Sequence, residues 1–126
     1  MQAFLKNYRQ SPRKVRLVAD LIRSKDVKTA RMLLATVPKR AALPMKKLLD
    51  SAVSNAKKDN GNEDTLFVKE IRVDAGPTLK RTMPRARGSA YIIRKRTSRI
   101  SLVLGGQKPK SPKASGKGGF ASGGKK

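Results

Sequence analysis

The sequence predicts an α+β fold: three helices packed on a small three-stranded antiparallel sheet, with a long protruding β-hairpin and a basic C-terminal tail of disordered type. Three observations predict it. Apolar residues at helical spacing fill residues 12–58, alternating apolar residues return on either side, and about 25 residues separate the last two alternating stretches. A compact domain rarely holds a bare loop of that length, so a hairpin is the expected solution. At 126 residues the chain suits one domain with an appendage. The expected division is a single domain over 1–105, with the hairpin at about 75–99, and a tail over 106–126.

Ala3 to Arg9 alternates weakly, with Phe4 and Tyr8 on one parity, and reads as a first strand. Ser11 then stands at an N-cap and Pro12 at the first helical position, both favoured where amides lack intrahelical acceptors. The helix runs to about Arg23 and buries Val15, Val18, Ala19 and Ile22. Arg13, Lys14 and Arg16 crowd its first turns, where the helix dipole disfavours cations by up to about 1 kcal/mol each, so a partner outside the helix is expected to hold them.

Asp26 is the expected N-cap of a second helix over Val27 to about Thr36, with Ala30, Leu33, Leu34 and Val37 inward and Pro38 as its stop. The third helix, about Lys39 to Lys58, presents Ala41, Met45, Leu48, Leu49, Ala52, Val53 and Ala56 as one stripe. Pro44 must lie in its first turn. The polar run Lys57 to Asp64 lacks the full spacing of a calcium loop and reads as a solvated turn. Strands follow at Leu66 to Asp74, with Phe67, Ile71 and Val73 on one parity, and around Ile100, Leu102 and Leu104.

Between those strands lies "LKRTMPRARGSAYIIRKR", residues 79–96, with seven bases and no acid. Five of the seven are arginines, whose planar forks grip phosphate bidentately, so geometric contacts are expected of Arg81, Arg85, Arg87, Arg94 and Arg96. Pro84 and Gly88 suit a reversal at the tip, and Met83 is a sizeable apolar side chain with no core behind it. Each arm would project roughly 25 Å. The six bases of the tail, Lys108, Lys110, Lys113, Lys117, Lys125 and Lys126, are all lysine, which suits diffuse attraction.

Charge narrows the function. The chain carries 31 Lys and Arg against 8 Asp and Glu, a formal +23, and every acid lies before Ala75. Such self-repulsion points to a polyanion, nucleic acid foremost. With no Cys and no His, thiolate, imidazole and zinc chemistry are excluded, and no metal or cofactor is expected. No apolar run approaches the roughly 20 residues of a membrane span. The first 19 residues hold five bases and no acid, yet Asp20 and the Ser11–Pro12 helix start favour a folded segment over a cleaved leader.

Folded RNA fits better than duplex DNA: no helix carries a major-groove reading pattern, and a basic rod among packed RNA helices needs only phosphates and shape. Two rival readings stand beside it. A histone-like DNA compactor rests on the lysine tail, and an Mg²⁺ nuclease would use Glu70 and Asp74, which share a strand face with Arg72 and read more simply as sheet polarity.

The stretches "SPRKVRLVADLIR", "KRAALPMKKLLDSAVSNA" and "VDAGPTLKRTMPRARGSAYIIRKRTSRISLVL" resemble, in order and spacing, the bacterial form of universal large-subunit ribosomal protein 22. The resemblance spans about residues 3–104. It implies a non-enzymatic structural constituent of the cytoplasmic large ribosomal subunit that binds 23S-type rRNA and organises it during assembly. Its partners would be that rRNA, neighbouring ribosomal proteins and, transiently, the nascent peptide, with no membrane and no homo-oligomer.

By the same resemblance, Arg13, Lys14 and Arg16 would touch rRNA from the first helix. Lys80, Arg81, Arg85, Arg87, Arg94, Lys95, Arg96 and Arg99 would touch it from the hairpin, the last four on its return arm. Lys80, Arg81, Met83, Pro84, Arg85, Ala86, Arg87 and Gly88 would form a tip lining the peptide exit tunnel. Pro44 departs from the helix former usual in the family, and the tail extends beyond the family's usual end.

Overall fold

The computed structural model describes residues 1–59 and 63–106. The tail from 107 onward and the centre of the Lys57–Asp64 turn lie outside the described residues. In chain order the elements are β1 (Gln2–Tyr8), α1 (Pro12–Ile22), α2 (Val27–Thr36), α3 (Ala42–Lys58), β2 (Phe67–Ala75), β3 (Leu79–Pro84), β4 (Ala90–Lys95) and β5 (Ser98–Gly105).

Ser11 opens α1 through its carbonyl, which accepts the Lys14 and Val15 amides at 3.1 and 3.3 Å. Val15, Val18, Ala19 and Ile22 are buried as their spacing requires. In α2 the Asp26 carbonyl accepts the Ala30 amide at 2.8 Å; Ala30 and Leu34 are buried, whereas Leu33 and Val37 are only half-buried.

The third helix starts at Ala42 rather than about Lys39, because Lys39 to Ala42 first close a turn, with the Ala42 amide donating to the Lys39 carbonyl at 2.9 Å. Pro44 is therefore the third helical residue, one whose amide would have no intrahelical acceptor in any case.

The sheet order is β1-β5-β2, antiparallel throughout, with β5 central. Ala3, Ile71, Val73, Ile100, Leu102 and Leu104 close the core against the three helices. Both outer strands are bulged, and each bulge overturns a parity expected from alternation. In β1 the register shifts between Leu5 and Tyr8, with Asn7 at φ 57°, so Phe4 lies 61 % exposed on the open face while Tyr8 packs against the core. In β2 the shift between Val68 and Glu70 sends Val68 into the core. Phe67 lies outside that core yet is buried, its ring so close to Gly105 that an added Cβ there would stand 2.8 Å from it.

The hairpin is a separate two-stranded ribbon, β3 with β4, continuing from β2 and β5. Its root is fixed by polar contacts. The Gly76 amide donates to the Thr97 carbonyl at 2.9 Å, the Thr97 hydroxyl donates to the Pro77 carbonyl at 2.7 Å, and the Ser98 hydroxyl donates to the Gln10 carbonyl at 2.6 Å. Thr97 and Ser98 are buried.

A Cβ on Gly76 would stand 2.4 Å from the Thr97 hydroxyl oxygen, so only glycine permits this contact. Gly76→Ala is expected to break the Thr97–Pro77 bond and destabilise the free protein by about 1–3 kcal/mol, the cost of stranding a buried polar group. Chemical denaturation measures it, and an unchanged midpoint would show that the root tolerates a side chain.

Among the described residues no helix is long and apolar enough to cross a membrane.

Candidate nucleic-acid interface

The ribbon pairs Leu79 with Lys95, Lys80 with Arg94, Arg81 with Ile93, Thr82 with Ile92, Met83 with Tyr91 and Pro84 with Ala90. Six pairs at about 3.3 Å per residue give roughly 20 Å of ladder, to which the tip adds. All of its residues are exposed except Ile93, which is half-buried. Isolated two-stranded hairpins are marginal at best, so this one draws its stability from the root and from whatever surrounds it.

Pairing sorts the cations by face. Directly opposite residues share a face, so Lys80 and Arg94 stand together on one side, and Arg81 and Lys95 lie on the other. Like charges directly opposite are destabilising. No carboxylate among the described residues pairs with any ribbon cation. Two ribbon arginines make contacts within the ribbon: Arg81 Nη1 donates to the Lys80 carbonyl at 2.9 Å, and the Arg85 guanidinium lies 5.5 Å from the Tyr91 ring centroid.

At the tip the Arg85 amide donates to the Ser89 carbonyl at 2.9 Å, closing a turn over Ala86, Arg87 and Gly88. Arg87 and Gly88 are both left-handed, at φ 59° and 70°. Met83 stands opposite Tyr91, 45 % exposed, so it rests beside a ring of its own ribbon and still presents surface outward.

The body contributes cations at the root end. Arg16 donates from Nε and Nη2 to the Val73 carbonyl at 3.1 and 2.9 Å, covering part of the β2 edge and spending two of its five donors. Gln10 is bonded to Ser98 and Tyr8 pairs with Ser98, so the start of α1, with exposed Arg13 and Lys14, is tied to the end of the sheet from which the ribbon leaves. Arg9, which sequence reading passed over, lies in that same link, exposed; its signal was its place among the five bases of the acid-free first 19 residues. Arg99 is corrected in position. It belongs to β5, opposite Asp74 in the three-stranded sheet, rather than to the return arm, because β5 begins at Ser98.

The acids face other duties. Asp20 pairs with Arg23 at 3.1 Å and Glu70 with Arg72 at 3.1 Å, so the nuclease pair of Glu70 and Asp74 has its first member engaged by an arginine. Arg31 joins Asp50 of α3 at 2.8 Å to Glu63, which Lys57 also meets at 2.9 Å. Among the described residues no cluster of three or more acids could hold a metal ion.

The hydrogen bond from Lys57, and the one from Arg31 after it, hold the Glu63 carboxyl below the usual range despite the burial that pushes it up. A depressed carboxyl stabilises the fold above its unfolded pKa, about 4.3, and that contribution is lost as pH falls through the lower folded value. The Glu63 contribution to thermal stability should therefore be constant between pH 7 and about pH 5 and fall away below about pH 4. Glu63→Gln should reduce that decline, and melting curves across pH check it.

Residues 3–105 match the sequence profile of the family described as ribosomal protein L22p/L17e. The chain belongs to that family. Curated relatives of this L22p/L17e protein carry the name large ribosomal subunit protein uL22. That of Deinococcus radiodurans is 57 % identical over 103 residues, covering 81 % of this chain and 77 % of the relative. That of Acetivibrio thermocellus is 55 % identical, covering 82 % and 83 %. That of Thermus thermophilus is 51 % identical, covering 82 % and 93 %. Membership makes the chain a ribosomal protein, not an enzyme, and the family match ends where β5 ends.

Proposed function

We propose that this L22p/L17e-family protein is a structural constituent of the large ribosomal subunit in the bacterial cytoplasm, where it binds and organises 23S-type rRNA during assembly. In this reading the ribbon runs through packed rRNA and its tip, Lys80 to Gly88, lines the exit tunnel and meets the nascent peptide in transit. Residues 1–105 act as one rRNA-binding domain, 106–126 as an accessory basic tail, and the protein enters the subunit as a single copy beside other ribosomal proteins.

The observation that carries the reading is the Lys80–Arg94 pair: like charges directly opposite on an exposed ribbon without a carboxylate. An isolated protein gains nothing from that arrangement, whereas phosphates on both sides turn the repulsion into attraction. Arg and Lys then bridge rRNA segments that would otherwise repel one another. Arg9, Arg13 and Lys14, with the remaining donors of Arg16, extend the same contact onto the body.

The test is Arg85→Ala with Arg87→Ala. Neither side chain is buried, so the free protein should melt as the parent does, while incorporation into large subunits or passage of nascent chains should be impaired. Loss of stability in the free protein with normal assembly and translation would refute the reading.

A further inference from the structure

The three-stranded sheet has two outer edges, and the chain treats them differently. Along β2, the Ser24 amide donates to the Val68 carbonyl at 3.2 Å, the Val68 amide to the Lys25 carbonyl at 2.9 Å and the Val27 amide to the Leu66 carbonyl at 3.2 Å, and Arg16 covers the Val73 carbonyl. Along β1, Asn55 Nδ2 donates to the Gln2 carbonyl at 3.1 Å and the Tyr8 hydroxyl donates to the Arg40 carbonyl at 3.2 Å. Between those two points no described residue covers the edge. The Met1 carbonyl accepts the Leu104 amide at 2.9 Å, so antiparallel alternation turns Ala3 and Leu5 toward β5 and the Phe4 amide and carbonyl outward. An open edge of this kind is a template for another strand.

Beside it α3 leaves a groove of about 420 Å³, lined by Phe4, Leu5, Leu43, Pro44 and Leu48 and bordered by Lys47. Leu43 also walls a second groove of about 400 Å³, with Leu34, Val37 and Pro38 along its floor and Lys39, Arg40 and Lys46 around it. Leu43 is 64 % and Phe4 61 % exposed, an apolar ridge and rim that solvent alone does not favour. Four cations and no acid line the two grooves.

We infer that this surface docks an extended segment of another protein, one that carries aliphatic side chains and carboxylates. Its backbone adds to the β1 edge at Phe4, its aliphatic side chains fill the grooves either side of Leu43, and its carboxylates meet Lys46, Lys47 and their neighbours. Charge decides against the other occupants. A second copy docked edge to edge would bring the two cationic rims together, and the tail of this chain has six bases and no acid. RNA would satisfy the cations but leave an aliphatic floor uncovered, with Phe4 the sole aromatic platform among the described residues that line it.

The experiment places a photo-reactive p-benzoylphenylalanine at position 43, or at position 91 as a ribbon control, in intact large subunits, and identifies the adducts by mass spectrometry. The expected product from position 43 is a protein adduct on a segment containing aliphatic and acidic residues. Lys46→Glu with Lys47→Glu should lower its yield about tenfold.

An adduct from position 43 on RNA, on another copy of this chain or on a segment without carboxylates overturns the proposal. So does no adduct there while position 91 gives one, or a yield that the charge reversal leaves unchanged. Position 91 reports separately on the ribbon: an RNA adduct there upholds the rRNA reading whatever position 43 shows.

Discussion

Replacing Arg81, Arg85, Arg87, Arg94 and Arg96 together by glutamine is expected to leave the free protein as stable as the parent and to weaken its binding to large-subunit rRNA roughly a hundredfold at near-physiological salt. Stability should survive because all five side chains are exposed and none has a carboxylate partner among the described residues. Exposed substitutions of this kind stay within about 0.5 kcal/mol each. Removing Arg94 even relieves the repulsion with Lys80 across the ribbon.

Binding should fail in a characteristic way. Each lost phosphate contact removes about 0.7–0.9 from the slope of log affinity against log salt, so five contacts remove about 4. Titrations of an rRNA fragment between about 50 and 200 mM salt measure that slope. A second variant with the same five positions changed to lysine keeps the charge but loses the bidentate fork. It should keep most of the slope while still binding folded rRNA less tightly than the parent. If the glutamine variant kept the full slope, the ribbon would not be the phosphate-binding element. If random duplex DNA competed as well as folded rRNA for the parent, a general polyanion binder would be the better description.

Much of the fold that carries the proposed interface is legible in the sequence, and the reasons are specific. The helices were readable because Val15, Val18, Ala19 and Ile22, and the longer stripe from Met45 to Ala56, repeat at helical spacing and meet the sheet as that spacing requires. The ribbon was readable because its bases have no acids among them and chain length forbids a bare loop.

What alternation could not show were the two bulges. Inserting one residue in β1 and one in β2 shifts the register, and nothing in a polarity pattern marks where a strand slips. The expected faces of Phe4, Tyr8 and Phe67 failed for that reason.

Arg16 shows a different limit. Its sequence context marked it as a cation needing a partner, but the partner found is a strand-edge carbonyl 57 residues away. Long-range closures of that kind, like the pairing of Ser98 with Gln10, leave no local trace in a sequence. The grouping of the α1 cations with the ribbon root therefore had to be seen in three dimensions.

Leu49→Ala should produce the opposite phenotype to the arginine variant. Leu49 is fully buried in α3, which packs against α2, β1 and β5, so truncation leaves a cavity in the centre of the body. The expected loss is about 3–5 kcal/mol. For a domain whose total stability lies between about 5 and 15 kcal/mol, that is a large share, and the melting temperature should fall by at least about 12 °C.

The ribbon, a separate two-stranded ladder, is untouched by this change. The salt slope of rRNA binding should therefore equal the parent's wherever the variant is folded. The proposed binding to rRNA would favour the folded state by mass action, so assembled subunits should retain the variant at low temperature and lose it selectively on heating. Calorimetry of the free protein and subunit composition at two temperatures test both halves. An equal loss of salt slope in Leu49→Ala would mean that core and ribbon are coupled, contrary to the exposed, separately paired β3–β4 ladder.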